Sequence, residues 1–123
     1  MGPYYQVARG LRKASAIITT VGAGHANALI IYTPMAVPPA TVIRTVIVRK
    51  IMCYSNVGAG IMELGLGAAF AGGALFPIFN VIANFDTEWT EDELPEVEIG
   101  QPIYVATTPL GIITQIEVEV IGP

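Results

Sequence analysis

Hydrophobic and polar positions alternate most cleanly over Ile112–Ile121 (IITQIEVEVI). Ile112, Thr114, Ile116, Val118 and Val120 fall on one side, and Gln115, Glu117 and Glu119 on the other. A period of two marks a strand with one buried face and one wet face. Ser15–Val21 (SAIITTV) and Asn27–Thr33 (NALIIYT) are rich in β-branched residues and flank the turn Gly22-Ala23-Gly24-His25, which predicts a hairpin. Pro34–Pro39 is a connector, because proline cannot donate to a ladder. Thr41–Ser55 is the longest strand signal. Neither of its faces is purely apolar, so the strand either crosses from covered to exposed surroundings or carries a bulge that shifts its phase. Asn56–Gly60 is a turn and Ile61–Leu66 a returning strand. Ala68–Ala74 reads as a small-residue loop, and Leu75–Phe85 as one or two strands around Pro77. Val97–Thr107 leads into a further strand that turns at Pro109-Leu110-Gly111.

This pattern gives seven to eight short strands with almost no helix. It predicts an all-β fold, an antiparallel β-sandwich of jelly-roll-like topology. Residues 14–123 form the sandwich and residues 1–13 an extended N-terminal arm. The turns Val21–Gly24 and Val57–Gly60 share the sequence VGAG, which favours a meander of hairpins.

Composition narrows the functions. Of 123 residues, 53% are hydrophobic and only 13% charged, which excludes intrinsic disorder and a charged coiled coil. The mean hydropathy of +0.60 is high, so apolar surface is covered by lipid or by other subunits. Two uncharged runs, Ala14–Ile43 and Leu64–Phe85, are long enough to span a bilayer. Both are broken by glycine, proline and asparagine, and short buried strands are the preferred reading; a small membrane protein with Leu64–Phe85 helical is the alternative. A net charge of −4 argues against nucleic acid as a partner.

Candidate chemistry is sparse. A single cysteine, Cys53, cannot form an internal disulfide, and a single histidine, His25, cannot build a site that needs two. The GAG turns lack the third glycine of a dinucleotide fingerprint, since Asn27 and Glu63 stand in its place. Asp86, Glu88, Thr90 and Asp92 alternate as calcium-loop ligands would, but Glu91 and Val97 occupy the positions that need glycine and glutamate. Ser15 and Ser55 lack a nucleophile-elbow context. These features predict a protein that is not an enzyme and needs no metal or cofactor.

Charge is distributed unevenly. All six basic residues precede position 51, and nine of ten acidic residues lie from position 86 onward. The arm carries Tyr4, Tyr5, Arg9, Arg12 and Lys13, which makes it a candidate interface. The segment holding Asp86, Glu88, Trp89, Glu91, Asp92 and Glu93 is a candidate acidic docking loop, with Thr90 and Glu93 spaced as a capping box that opens one helical turn. An arm reaching a neighbour's acidic surface would fix register between subunits.

Thr41–Gly67 (TVIRTVIVRKIMCYSNVGAGIMELGLG) and Val97–Gly122 (VEIGQPIYVATTPLGIITQIEVEVIG) resemble small phage virion proteins, the β-sandwich head decoration or cement proteins and related trimeric jelly-roll modules. The likeness covers about half of the chain and includes a closing strand pair. It implies a homotrimer on the capsid surface of the virion, clamping the major capsid protein, with no catalytic residues. A carbohydrate- or receptor-binding module of a phage tail is the alternative, and it expects Trp89 and tyrosines exposed on a concave face.

Overall fold

The computed structural model describes residues 13–34, 36–37 and 42–121. Ten strands follow in order: β1 (Lys13–Thr19), β2 (Leu29–Tyr32), β3 (Ala36–Val37), β4 (Val42–Ile43), β5 (Thr45–Tyr54), β6 (Gly60–Leu66), β7 (Phe79–Val81), β8 (Thr87–Trp89), β9 (Ile103–Thr108) and β10 (Ile113–Ile121). Eight of them build two four-stranded antiparallel sheets. The first runs β1-β10-β5-β8 and the second β2-β9-β6-β7, while β3 and β4 pair as a short ribbon between β2 and β5. Chain neighbours alternate between the sheets, except that β6 and β7 pair directly. This interleaving of two four-stranded sheets is a jelly roll.

The core lies between the sheets. From the first sheet, Val46, Val48, Ile51, Ile116 and Val118 face Met62, Leu64, Phe79, Ile103 and Val105 of the second, all of them buried. The inward set on β10 is the one its alternation predicts: Ile112, Thr114, Ile116 and Val118 are buried, and Gln115, Glu117 and Glu119 stand on the other face. The ambiguous phase of β5 is resolved by a bulge. Glu117 pairs with Lys50 and Val118 with Val48, leaving Arg49 as the unpaired extra residue. With Arg49 stepped out, Val48 and Ile51 both point inward although three positions separate them.

The expected hairpins do not form. β1 pairs with β10 and β2 with β9, in opposite sheets. β5 and β6 are likewise split between sheets, as are β9 and β10. The reason is burial. Each strand needs its apolar face against the other sheet, and a tight turn that crosses the sandwich satisfies this as well as one that stays within a sheet. Leu75–Phe85 contains the single strand β7, and β8 falls inside the acidic segment, which the sequence reads as a loop. Lys13, assigned to the arm, opens β1 opposite Glu119. Tyr4, Tyr5, Arg9 and Arg12 lie outside the described residues.

Four connections, β1–β2, β5–β6, β7–β8 and β9–β10, meet at one end. The Gly111 N–H donates to the Thr20 carbonyl at 2.8 Å, and the Asn84 N–H donates to the Ser55 carbonyl at 2.7 Å. Buried threonines stitch two of these loops together. The Gly111 N–H also reaches Thr20 Oγ1 at 3.2 Å, Thr20 Oγ1 bonds Thr107 Oγ1, and the Thr107 hydroxyl donates to the Pro109 carbonyl at 3.0 Å. The directions are consistent, with Thr20 donating to Thr107, so every member of the relay is satisfied. Thr107→Val keeps the shape but removes the acceptor for Thr20 and the donor for Pro109. It is expected to cost about 1–3 kcal/mol, read as a lower urea midpoint with an unchanged slope.

Candidate functional site

The loop end of the sandwich is apolar. Val21 in β1–β2, Val57 in β5–β6, Ile82 and Phe85 in β7–β8 and Leu110 in β9–β10 are each at least half exposed, with Val21 at 77% and Phe85 at 66%. Val57 borders Gly111, and Ala83 bridges to Ser55, so these side chains belong to adjoining loops. Scattered exposed apolar residues are ordinary, but a group on one end marks a contact surface.

A groove of about 350 Å³ opens on the outer face of the first sheet. The register places Ile17 beside Gln115, Gln115 beside Met52 and Met52 beside Glu88, in one row across four strands. The next row sets Thr19 beside Ile113 and Ile113 beside Tyr54, where the sheet passes into the apolar loops. Ile17, Met52, Tyr54 and Ile113 therefore give an apolar floor, with Asp86 and Glu88 along one side. Ile17 is 65% exposed on the outermost strand. These residues come from β1, β5, β8, β10 and the turn before β8, and no local motif announces them. The only trace in the sequence is that the outward positions of β5 and β10 near this end, Met52, Tyr54 and Ile113, are apolar where polar residues are expected.

The acidic segment is built into the fold. Glu88 lies on the outer face of β8 and meets Lys50 Nζ at 3.6 Å, while Trp89 turns inward and packs on Phe79 with ring centroids 4.6 Å apart. The exposed Trp89 expected of a carbohydrate platform is thus half-buried against the core. Thr90 to Leu94 makes one hydrogen-bonded turn, and the Glu93 carboxylate accepts from the Thr90 N–H at 3.2 Å, one half of the capping box. Arg49 draws the two halves of the charge distribution together. Its guanidinium binds Glu119 at 2.9 Å and Glu96 at 3.0 Å, with Glu91 at 4.0 Å. Partial burial opposes the charge, but the hydrogen bonds and fields of Glu119 and Glu96 outweigh it and hold the pKa of Arg49 above its ordinary value. Asp86 and Asp92 have no ion-pair partner among the described residues.

A second cluster covers the outer face of the other sheet. His25, in the 3₁₀ turn His25–Asn27, stacks on Phe70 at 4.4 Å, and its Nε2 contacts Glu63 Oε1 at 2.9 Å. Phe70 lies flat on Gly65, where a Cβ would stand 2.7 Å from the ring, and this packing holds Phe70 at the left-handed φ of 59°. Sequence reasoning finds no acid near His25 because Glu63 stands 38 positions away. Among the described residues, no three His, Cys, Asp or Glu side chains converge as metal ligands, and every buried side-chain nitrogen and oxygen has a hydrogen-bond partner. No helix among them is long and apolar enough to cross a membrane, and Leu64–Phe85 instead contains the end of β6, a 3₁₀ turn and β7.

No known protein family matches the chain, and no curated protein is similar to it in sequence. Its class therefore comes from the fold. It is a jelly-roll β-sandwich whose accessible features are an apolar loop end and an acidic-sided groove.

Three outcomes follow from Cys53 and from the Arg49 ion pairs. Burial pushes the Cys53 thiol from 9.0 up to about 11, against a weak hydrogen bond to Thr114. Cys53 should resist alkylation at neutral pH until the protein is unfolded in urea. The folded state holds this proton more tightly than the unfolded chain, so the thiol's contribution to stability is present below pH 9.0 and lost as pH rises toward about 11. Urea melts across that window should show a shallower decline in Cys53→Ala. Arg49→Met leaves Glu119 partly buried without its cation and is expected to cost about 1–2 kcal/mol, measured by the same melts.

Proposed function

We propose that this protein is a non-enzymatic structural component of a virus particle. In this reading it is a head decoration, or cement, protein that sits on the capsid surface of a phage as a homotrimer and binds the major capsid protein. The observation that carries the reading is the apolar loop end, where Val21, Val57, Ile82, Phe85 and Leu110 are exposed together. A grouping of this kind supports a surface that another protein covers.

Jelly rolls serve chiefly as capsid, lectin and cupin domains. A cupin site needs several metal-ligating histidines, whereas the sole histidine here is engaged by Glu63 and Phe70. A lectin site uses exposed aromatic rings, whereas Trp89 packs on Phe79. A capsid-associated subunit needs only a surface that another protein can cover, and the apolar loop end supports that role. Fold analogy alone would be a weak warrant; the apolar end is the independent support.

Light scattering should report three times 13.0 kDa for the purified chain. Phe85→Glu and Leu110→Glu should each shift it to a monomer, with the melting temperature within about 5 °C of the parent, since neither side chain is in the core. Mass spectrometry of purified particles should find the chain at a fixed ratio to the major capsid protein. A monomeric parent chain removes the homotrimer, and absence from particles removes the capsid role.

A further inference from the structure

We propose that the groove on the outer face of the first sheet receives the N-terminal segment, residues 1–12, of a second copy of this chain. This rests on the oligomeric reading above and assigns the contact that would hold its subunits in register.

The groove has a definite chemistry. Its floor is apolar, from Ile17, Met52, Tyr54 and Ile113, and its charged residues are both acidic, Asp86 and Glu88. Glu88 is shared with Lys50 at 3.6 Å, whereas Asp86 has no ion-pair partner among the described residues. An occupant therefore needs apolar or aromatic side chains together with positive charge. Its volume of about 350 Å³ sits at the low end for clefts that enclose a small ligand, about 300–1,000 Å³. That size suits a few side chains of an extended peptide.

Residues 1–12 (MGPYYQVARGLR) have the complementary composition. They contain Tyr4, Tyr5, Val7 and Leu11 with Arg9 and Arg12, and no acidic residue. They hold two of the chain's six basic residues. Residues 86–123 contain no basic residue, and Arg49 and Lys50 already pair with the chain's own carboxylates.

Geometry favours a second copy over the chain's own segment. Lys13 stands opposite Glu119, four residues before Ile17 on β1, so it lies about 13 Å from the groove at strand rise. β1 runs from Lys13 toward the groove, so the chain enters the sheet from the far end. Returning to its own groove would require the segment to reverse along β1. Twelve extended residues span about 40 Å, well beyond the radius of gyration of about 14 Å expected for a domain of this length. That is enough to reach across the face of a neighbour.

Cross-linking of the full chain tests this. In a Cys53→Ala background, one preparation carries Arg9→Cys and another Asp86→Cys, and the two are mixed and oxidised. The expected product is a cross-linked pair of twice 13.0 kDa, absent when Glu117→Cys on the same sheet face replaces Asp86→Cys. Independently, Asp86→Lys should weaken trimer association about tenfold, and adding Arg9→Glu and Arg12→Glu to it should recover most of that loss. Raising salt from about 50 mM to about 1 M should weaken the parent trimer in the same direction. A trimer that persists without cross-links and is indifferent to charge reversal overturns this inference and leaves the homotrimer standing. Closure only within single chains of the Arg9→Cys/Asp86→Cys double variant overturns the second-copy occupant. A parent chain that is monomeric overturns both readings.

Discussion

The apolar layer where Val46, Ile51, Ile116 and Val118 of the first sheet meet Met62, Leu64, Ile103 and Val105 of the second sets the terms for the rest of the chain. Both sheets must turn one face inward, so each strand has only alternate positions to give to the core. A domain of 123 residues has much surface for its volume. The chain nevertheless carries 53% hydrophobic residues, more than one such layer can enclose. Much of the surplus is placed on the loops at one end and the adjoining outward positions of β5 and β10, while Ile30, Ile78 and Val97 are exposed elsewhere. The stretch of Arg49, Lys50, Glu117 and Glu119 farther along the same face is polar, with Arg49 paired to Glu119 and Lys50 to Glu88. One sheet face thus changes character along its length, from a salt-bridged half to an apolar half.

Strand positions were legible in the sequence because burial writes a local period of two. Ile112–Ile121 is the clearest case, and even the bulge in β5 left a trace as a face that was neither apolar nor polar. Pairing partners were not legible. A strand that pairs with its chain neighbour and one that pairs across a jelly roll bury the same alternate residues, so the hairpins expected for β1–β2, β5–β6 and β9–β10 could not be told from inter-sheet crossings. β8 was hidden for another reason. Its three residues, Thr87–Trp89, belong to a segment whose seven acidic residues, Glu88 among them, dominate the local composition, and only the distant pairing with Ile51–Cys53 makes them a strand.

The surfaces divide in the same way. The uneven charge distribution was visible at once, but its partial cancellation through Arg49, which reaches Glu96 and Glu119 from the bulge, depends on tertiary structure. The acidic segment reads in sequence as one docking loop; in the fold Asp86 and Glu88 line the groove, while Glu91 and Glu96 lie beside Arg49. Likewise His25, isolated in sequence, becomes part of a stack on Phe70 that closes over the outer face of the second sheet.

Lys13 and the groove sit toward opposite ends of the outer sheet face, and they are chemically unlike. Any union of what precedes Lys13 with a groove on another molecule therefore has a giver and a taker: two copies can exchange the segment reciprocally about a two-fold axis, or each copy can give to the next. Repeating a directional union rotates each molecule by the same angle. Given onward rather than exchanged, it ends either in a closed cycle or in an endless helical filament, and the rotation and rise per step decide between them.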